Sequence, residues 1–303
     1  MQVTVIGLGS IGMGIATSLL RDEHDVVGVD IVSARRGEIE RMGGRFEAGI
    51  RQACRKAEVV ISVVVDALQT ESVIFGEDGA AQGMPPDSVL LSCATLPPEK
   101  TRDFARRLEV TGRHYLDAPT SGGPAKAQSG EMTIMASGSA TAFEKAGPVL
   151  ESMASKVYRL SDEPGVGSAM KLINQHLAGV HIAVACEAMA LAIRLGLDPR
   201  QVYEVISNAA GSSWMFENRV PHILEGDYSP KSATSIFTKD LGIVMDTARA
   251  NHFPVPMAGT GLQMFEMAAA AGMQGDDDTS IIRVFAKLTG ISLPEAGKPD
   301  DGG

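Results

Sequence analysis

Three glycines near the start of the chain, placed between a β-rich segment and a helix-forming one, constrain the fold more than any other feature. Residues 2–6 are typical of a buried strand, the glycines are Gly7, Gly9 and Gly12, and helix-forming residues continue from Ile15. In that context the first glycine permits a tight turn, the second lets the backbone approach a pyrophosphate and the third allows close helix packing. The segment therefore predicts a dinucleotide-binding unit with the phosphates at the helix N-terminus.

An acidic residue follows at the position expected for a ribose contact. The second predicted strand, residues 25–30, ends in Asp30, eighteen residues after Gly12. A carboxylate there accepts hydrogen bonds from the diol of NAD and repels the 2′-phosphate of NADP, so NAD is the predicted cofactor. Arg35 and Arg36 lie in the next predicted helix. They could face a 2′-phosphate, or they could belong to a solvated helix face.

Strand and helix signals alternate as far as about residue 160. Strands are predicted at 58–65, 88–93, 114–117, 132–136 and 156–159, and helices near 67–74, 97–110, 124–129 and 140–153. Such alternation predicts right-handed crossovers and a mainly parallel sheet with helices on both faces. Because ligands of these sheets bind beyond the carboxyl ends of the strands, Val64, Val65 and Thr95 are expected near the cofactor. Thr95 could instead cap the following helix.

From about residue 165 onward the predictions are all helical. Helices are expected at 167–195, 199–207, 214–224, 238–250 and 257–271, with Lys239 at the start of the fourth. The predicted fold is an α/β Rossmann domain (doubly wound, mainly parallel sheet) over residues 1–163 and an all-α domain over residues 164–303, joined by a long helix. Trp214 either lines a pocket or belongs to the core.

One lysine stands alone in the long predicted helix. Lys171 is the only lysine or arginine between residues 165 and 193. Burial disfavours the charged form of a lysine, so a lysine kept in such a segment usually has a function. Lys171, Asn174 and Gln175 share one helical face because they are spaced i, i+3 and i+4, and this face resembles the wall of a site. The alternative is a lysine whose stem lies on apolar surface while its head reaches water.

A second candidate site is a loop of small residues after the strand at 114–117. Ser121, Gly122 and Gly123 expose backbone N–H groups that could form a nest for an anion such as a carboxylate. The alternative is a plain turn into the next helix.

Composition excludes several other classes of protein. A net charge of −10 disfavours nucleic acid and anionic membranes as partners. Three distant cysteines and scattered histidines predict neither disulfides nor a metal site. The apolar run at 172–193 contains Asn174, Gln175, two histidines and Glu187, which indicates a buried helix rather than a membrane span. The N-terminus shows no secretory signal, so a cytoplasmic protein is expected.

Four ordered motifs together resemble the signatures of the β-hydroxyacid dehydrogenase family. They are Gly7-x-Gly9-x-x-Gly12-x-Gly14, the segment 117–123 (Asp-Ala-Pro-Thr-Ser-Gly-Gly), Gly165-x-Gly-x-x-x-Lys171-x-x-Asn174, and the segment 237–241 (Phe-Thr-Lys-Asp-Leu). The family includes 3-hydroxyisobutyrate dehydrogenase, tartronate semialdehyde reductase and, more remotely, 6-phosphogluconate dehydrogenase. Residues 172–181 and 213–219 most resemble the branch that contains L-threonate dehydrogenase. Two positions depart from the usual family pattern: Thr120 replaces valine or isoleucine, and Gln175 replaces a second asparagine.

The resemblance implies a function and a role for each candidate residue. It implies NAD-dependent oxidation of a small hydroxy acid, with L-threonate to 2-dehydro-L-erythronate as the leading hypothesis, by hydride transfer with Lys171 as general acid/base. The substrate is expected at Ser121, Gly122, Gly123, Lys171, Asn174 and Gln175, and the cofactor at Gly7, Leu8, Gly9, Ser10, Ile11, Gly12, Asp30, Val64, Val65, Thr95 and Lys239. No metal is implied.

Several alternatives remain open on the sequence. A 3-hydroxyisobutyrate dehydrogenase or a tartronate or succinic semialdehyde reductase is the main rival for the substrate. A decarboxylating sugar-acid dehydrogenase would need a site for substrate phosphate, and no arginine cluster is present at the 118–124 loop. A cofactor-binding sensor without catalysis would not need Lys171. The apolar helical half also suggests burial against a second subunit, in a homodimer or homotetramer.

Overall fold

The structure is a computed structural model that describes residues 1–296. It divides into two compact units, Met1–Lys171 and Leu172–Gly303. The sequence places this boundary after residue 163, whereas in the structure the first residues of the long helix belong to the first unit. Hydrogen bonds from Gly167 and Ser168 to side chains of the first unit explain the difference.

The first unit is built on one mainly parallel sheet. Its strands are β1 (Gln2–Ile6), β2 (Asp25–Val29), β3 (Arg45–Phe46), β4 (Val59–Ser62), β5 (Val89–Ser92), β6 (His114–Asp117), β7 (Thr120–Ser121), β8 (Met132–Ser137) and β9 (Ala154–Ser161). The strand order is β3-β2-β1-β4-β5-β6-β8-β7, and β9 also pairs with β8. The strands from β3 to β6 are parallel, whereas β6 and β7 pair antiparallel with β8. The order reverses between β1 and β4, which is where such sheets bind ligands.

Helices cover both faces of this sheet. They are α1 (Ser10–Arg21), α2 (Arg35–Arg41), α3 (Ile50–Ala53), α4 (Ala67–Phe75), α5 (Ala80–Gly83), α6 (Pro98–Glu109), α7 (Gly123–Ser129) and α8 (Ala140–Met153), with a 3₁₀ turn at Cys54–Lys56. Successive side chains of a strand point to opposite faces. Accordingly, Val3 and Val5 of β1 pack into one hydrophobic cluster with Ile15, while Ile6 packs into a second cluster with Phe104. This confirms the predicted doubly wound fold.

The regular elements of the second unit are helices among its described residues, apart from one isolated antiparallel bridge between Ala233 and Asp277. Helix α9 (Val166–Arg194) enters it from the first unit, and α10 (Pro199–Ser207), α11 (Trp214–Glu225), α12 (Thr234–Ala250), α13 (Pro256–Ala268) and α14 (Ile281–Thr289) follow, with a π turn at Ala269–Met273 and a 3₁₀ turn at Asp278–Ser280. Phe237 and Phe265 stack in its core with ring centroids 5.2 Å apart. Gly179 of α9 allows α12 to come close, because a Cβ there would lie 2.9 Å from Leu241.

Three local predictions are corrected by the structure. Helix α12 begins at Thr234, so Lys239 lies in its second turn and not at its start. The earlier start is fixed from outside the segment, because the Thr234 N–H donates to the Asp276 carbonyl at 2.8 Å. The loop at 118–124 contains the short strand β7, which pairs with β8. Helix α14 was not predicted, and its β-branched start (Ile281, Ile282) does not stand out as helical.

Helix α9 is long and apolar enough to cross a membrane by length and composition alone, and 44% of its most apolar window is buried. Its polar residue Gln175 is buried and hydrogen-bonded to Asp240 of α12. We therefore interpret α9 as the core helix of a soluble protein.

Candidate active site

The glycine loop after β1 adopts a shape that only glycine permits at two positions. Gly7 has φ +92°, and a Cβ there would lie 2.5 Å from the Val63 carbonyl oxygen at the end of β4. A Cβ on Gly12 would lie 1.8 Å from the Gly7 carbonyl oxygen. The start of α1 is therefore packed directly on the loop, between the ends of β1 and β4.

The same loop leaves space and hydrogen-bond donors for an anion. Among the described residues, no atom outside the immediate chain neighbours lies within 4 Å of the position that a Cβ on Gly9 would take, and Gly9 and Ser10 are exposed. Gly9 is the N-cap of α1 and provides no side-chain cap, so the N–H groups of Ser10 and Ile11 face outward without a side-chain acceptor from the cap. A helix N-terminus with these features fits the pyrophosphate of a dinucleotide.

Asp30 lies directly after β2 and is held by the backbone. It accepts hydrogen bonds from the Leu8 N–H at 2.6 Å and the Val32 N–H at 2.7 Å. These two bonds connect the carboxylate to the glycine loop and fix its direction. Each carboxylate oxygen keeps a further lone pair, so the group can still accept from a ribose hydroxyl.

The two arginines of α2 are engaged with their own neighbourhood. Arg35 donates to both carboxylate oxygens of Glu38, at 3.0 and 2.9 Å, and the guanidinium of Arg36 lies over the Phe46 ring at 5.0 Å from its centroid. These contacts agree with the interpretation of a helix face rather than a phosphate site.

The candidate residues after β4 and β5 have different exposures. Val64 is half-buried, Val65 is 48% exposed, and Thr95 is 9% exposed. Helix α6 begins at Pro98 with Pro97 as its N-cap, and no side chain caps it. The alternative in which Thr95 caps this helix is therefore wrong, while its place near a cofactor stays a prediction.

The segment Ser121-Gly122-Gly123 links β7 to α7. Gly122 has φ +137° and Gly123 has φ +77°, so two consecutive residues lie in a region that disfavours side chains. All three residues are half-buried. This backbone can form the predicted concave group of N–H donors, and its use for a substrate carboxylate stays a prediction.

A buried carboxylate at the end of β6 fixes the start of α9. Asp117 is 1% exposed and accepts hydrogen bonds from the Ser168 hydroxyl (2.7 Å), the Ser168 N–H (2.8 Å), the Gly165 N–H (2.9 Å) and the Ser137 hydroxyl (3.1 Å). Burial raises the pKa of Asp117, and these bonds act against that rise. Sequence reasoning did not select Asp117 as a functional residue, although an acid directly after an apolar strand is a usable signal.

Lys171 follows Ser168 by one helical turn and is buried, with 8% of its surface exposed. This small exposed fraction agrees with a lysine inside a site, and its role there stays a prediction. The backbone around it is tightly packed, since a Cβ on Gly167 would lie 2.3 Å from the Met135 carbonyl oxygen.

In the second unit, four polar side chains form one hydrogen-bonded chain. Asn174 Nδ2 donates to Gln175 Oε1 at 2.9 Å, Gln175 Nε2 donates to Asp240 Oδ2 at 2.5 Å, and Lys239 Nζ donates to Asp240 Oδ1 at 2.5 Å. Asp240 is 1% exposed and Gln175 7%. The structure thus brings Asn174, Gln175 and Lys239 together through Asp240, a residue that sequence reasoning did not select. The signal was its position on the buried stripe of α12, between Phe237 and Leu241.

The remaining candidates are the single tryptophan, the three cysteines and the side chains that could bind a metal. Trp214 is 56% exposed, so its assignment to the core is wrong. Cys54, Cys93 and Cys186 are free and buried, and burial raises the pKa of Cys93 to about 12. Among residues 1–296, no group of three or more His, Cys, Asp or Glu side chains could hold a metal ion.

Comparison with known protein families covers nearly the whole chain. Residues 2–161 match the family described as the NAD binding domain of 6-phosphogluconate dehydrogenase. Residues 165–285 match the family described as NAD-binding of NADP-dependent 3-hydroxyisobutyrate dehydrogenase.

Individual relatives are similar over their full length. An L-threonate dehydrogenase of Cupriavidus necator is 50% identical over 97% of this chain and 98% of its own. An L-threonate dehydrogenase of Escherichia coli K12 is 46% identical over 97% of each chain. The crystal structure of a 3-hydroxyisobutyrate dehydrogenase from Salmonella typhimurium superposes with a TM-score of 0.89 at 45% identity, covering 94% of this chain and 99% of that one.

Proposed function

The chain belongs to the β-hydroxyacid dehydrogenase family and is a NAD-dependent hydroxyacid dehydrogenase, and we propose that it oxidises L-threonate to 2-dehydro-L-erythronate. The observation that supports L-threonate as the substrate is the similarity to L-threonate dehydrogenases across almost the entire chain. Gln175 supports the same branch, because the resemblance implies a glutamine after Asn174 in the threonate-like branch where many other members have a second asparagine.

Lys171 acts as the general acid/base in this proposal. In oxidation, Nζ of the neutral lysine accepts the proton of the reacting hydroxyl, and in the reverse direction the ammonium returns it. Burial of Lys171 supports this role, because burial favours the neutral amine. NAD, when bound, supplies the hydride acceptor.

The other residues bind and orient. The backbone N–H groups of Ser121, Gly122 and Gly123 hold the substrate carboxylate, and Asn174 orients the hydroxyl, so that binding energy limits the motion of the reacting carbon. Gln175 supports substrate binding from the next position on α9. The cofactor is held by Gly7, Leu8, Gly9, Ser10, Ile11, Gly12, Asp30, Val64, Val65, Thr95 and Lys239. Asp30 favours NAD over NADP.

Parallel assays with purified protein test the proposal. NADH formation would be followed with NAD or NADP and with L-threonate, D-threonate, erythronate and 3-hydroxyisobutyrate. Turnover of L-threonate with NAD is expected. Turnover of 3-hydroxyisobutyrate alone would support the second candidate, which the similarity to the Salmonella typhimurium protein favours.

The Lys171→Ala variant separates catalysis from folding. We expect it to lose turnover and to keep NADH binding, measured by fluorescence. Simultaneous loss of both would assign Lys171 a structural role instead.

We also propose that the protein is cytoplasmic and forms a homodimer or homotetramer. Ile173, Leu177, Val184 and Leu191 of α9 are each more than half exposed, at 59%, 53%, 52% and 58%. They follow the spacing of a coiled-coil seam, which a second copy of the same helix would cover. Light scattering should therefore give a mass of at least two chains, and Leu177→Glu should lower it.

A further inference from the structure

The hydrogen-bonded chain from Asp240 to Asn174 has a fixed direction. Asp240 pairs with the ammonium of Lys239, which has only donors, so Asp240 is a carboxylate and only accepts. The group of Gln175 that faces Asp240 must then be its NH₂, and its carbonyl oxygen must face the other way. Amide orientations are normally assigned from such networks. Here the assignment follows from the charge of one residue.

The direction is passed on to Asn174. Because the carbonyl oxygen of Gln175 can only accept, the side of Asn174 that meets it must be the NH₂ group. That contact occupies one N–H of Asn174. The amide retains its second N–H and its carbonyl oxygen for a ligand, and Asn174 is half-buried whereas Gln175 is buried.

We propose that Asp240 and Gln175 are positioning residues that make Asn174 present one donor and one acceptor to two neighbouring hydroxyls of the substrate. This inference rests on the proposed function and deepens it, because it names the substrate class as acids with a vicinal diol. A diol can accept from the N–H with one oxygen and donate to the carbonyl with the other. An acid with a methyl group in place of the second hydroxyl satisfies only one of the two groups, and an unmet polar group in a site costs affinity.

Gln175 links Asn174 to Asp240. Its amide is engaged at both ends, by Asn174 and by Asp240. Because Gln175 is buried and held between these two partners, its effect on the substrate passes through Asn174. Without the Gln175 bond, the Asn174 amide could rotate and present its groups in either order.

Two acids that differ by one hydroxyl test the substrate class. D-Glycerate and D-lactate share the configuration of L-threonate at the carbon that bears the reacting hydroxyl, and only glycerate has a second hydroxyl. Their inhibition constants against L-threonate oxidation would be measured for the wild type and for Gln175→Met. We expect the wild type to prefer glycerate by about tenfold and the variant by less than about twofold. An unchanged preference in the variant would overturn the proposal.

A matched control and a double-mutant cycle separate positioning from direct contact and from general damage. Gln263 is exposed on α13, and Gln263→Met should leave the kinetics of the wild type. Gln175→Met should lower kcat/KM for L-threonate about tenfold with an unchanged KM for NAD. In an Asn174→Ala background the same change should have almost no further effect. Independent, multiplying effects would show that Gln175 contacts the substrate itself.

A measurement without turnover distinguishes failure of this inference from failure of the proposed function. The side-chain NH₂ signals of Gln175 and Asn174, assigned by their loss in Gln175→Met and Asn174→Ala, would be recorded by ¹⁵N NMR. Asp240→Asn should shift the side-chain NH₂ signals of both Gln175 and Asn174 and leave the NH₂ signals of Gln263 unchanged. If Asn174 does not respond, the fixed direction is refuted. If it responds while the wild type oxidises no hydroxy acid, the proposed function fails and the network stands.

Discussion

Replacing Asp117 by alanine should be far more damaging than replacing it by asparagine. The carboxylate is buried and accepts four hydrogen bonds, two of them from the backbone N–H groups of Gly165 and Ser168. Alanine removes every acceptor. The Ser168 hydroxyl can still pair with Thr101, at 2.8 Å, but the two N–H groups have no such substitute.

The magnitude follows from the two N–H groups left behind. An unsatisfied buried donor costs about 1–3 kcal/mol, so Asp117→Ala should lose roughly 2–6 kcal/mol of the free energy of unfolding. Asparagine keeps an oxygen for the backbone donors, and the Ser168 hydroxyl can turn to accept from its NH₂. Burial raises the pKa of Asp117, so removing its charge also relieves a desolvation cost. Asp117→Asn should therefore lose only about 1 kcal/mol.

Urea unfolding of both variants at neutral pH provides the test. Ser62→Ala serves as the control, because Ser62 is equally buried and its hydroxyl has no hydrogen-bond partner among the described residues; its stability should stay within about 0.5 kcal/mol of the wild type. Since Ser168 precedes Lys171 by one turn, Asp117→Asn should also lower kcat more than it lowers NADH affinity. The reasoning is refuted if alanine and asparagine are equally tolerated.

Three further predictions concern the cofactor loop and the acid response of the second unit. Gly9→Ala should leave the melting temperature unchanged, because its Cβ would meet no described residue beyond its chain neighbours. It should weaken NADH binding at least tenfold, because the Cβ would occupy the space where the backbone approaches the pyrophosphate. Gly12→Ala should lower both the melting temperature and the NADH affinity by forcing a Cβ onto a carbonyl oxygen. Asp30→Ala should reduce the ratio of kcat/KM for NAD over NADP, and an unchanged ratio would remove the role given to that carboxylate. Burial raises the pKa of Asp277, but hydrogen bonds from His222 and Thr279 outweigh this and lower it to about 2. Because the folded pKa lies below the unfolded value of about 3.9, the stability that this group contributes is present above that value. About 2 kcal/mol of it is lost as the pH falls toward 2. The difference in unfolding free energy between wild type and Asp277→Asn should therefore shrink over that range, and a constant difference would contradict the assignment.

The α/β half could be predicted from the sequence because its signals are local. β1, β2, β4 and β5 are short, mostly apolar runs, and Gly7, Gly9 and Gly12 have the context that a phosphate loop needs. The antiparallel pairing of β7 with β8 could not be predicted, because Thr120 and Ser121 form too short a segment to show a period. The start of α12 was missed for a different reason: Thr234 is held by the backbone of Asp276, far away in sequence.

The residues missed at the site are buried carboxylates with distant partners. Asp117 and Asp240 were missed because an acid is normally read as exposed, although one lies at the end of an apolar strand and the other on the buried stripe of a helix. Their importance comes from donors that the fold brings to them from Ser137 and Gly165 in one case and from Gln175 in the other. The acid/base and cofactor-binding candidates of this site can be predicted from residue type and spacing. The residues that orient them are identified only when the fold shows which distant groups they contact.

Both carboxylates act on the same segment of α9, the one that carries Lys171. Asp117 binds Ser168, and Asp240 binds Gln175. Ser168, Lys171 and Gln175 are spaced i, i+3 and i+7, so the two anchored residues lie one turn before and one turn after the lysine on the same helical face. A helix segment anchored on both sides has little freedom to shift or rotate, so the backbone of Lys171 is held in one place, as proton transfer at a fixed position requires. Asp117 and Asp240 thus hold the segment of α9 that carries Lys171, and weakening either anchor should reduce kcat before it unfolds the protein.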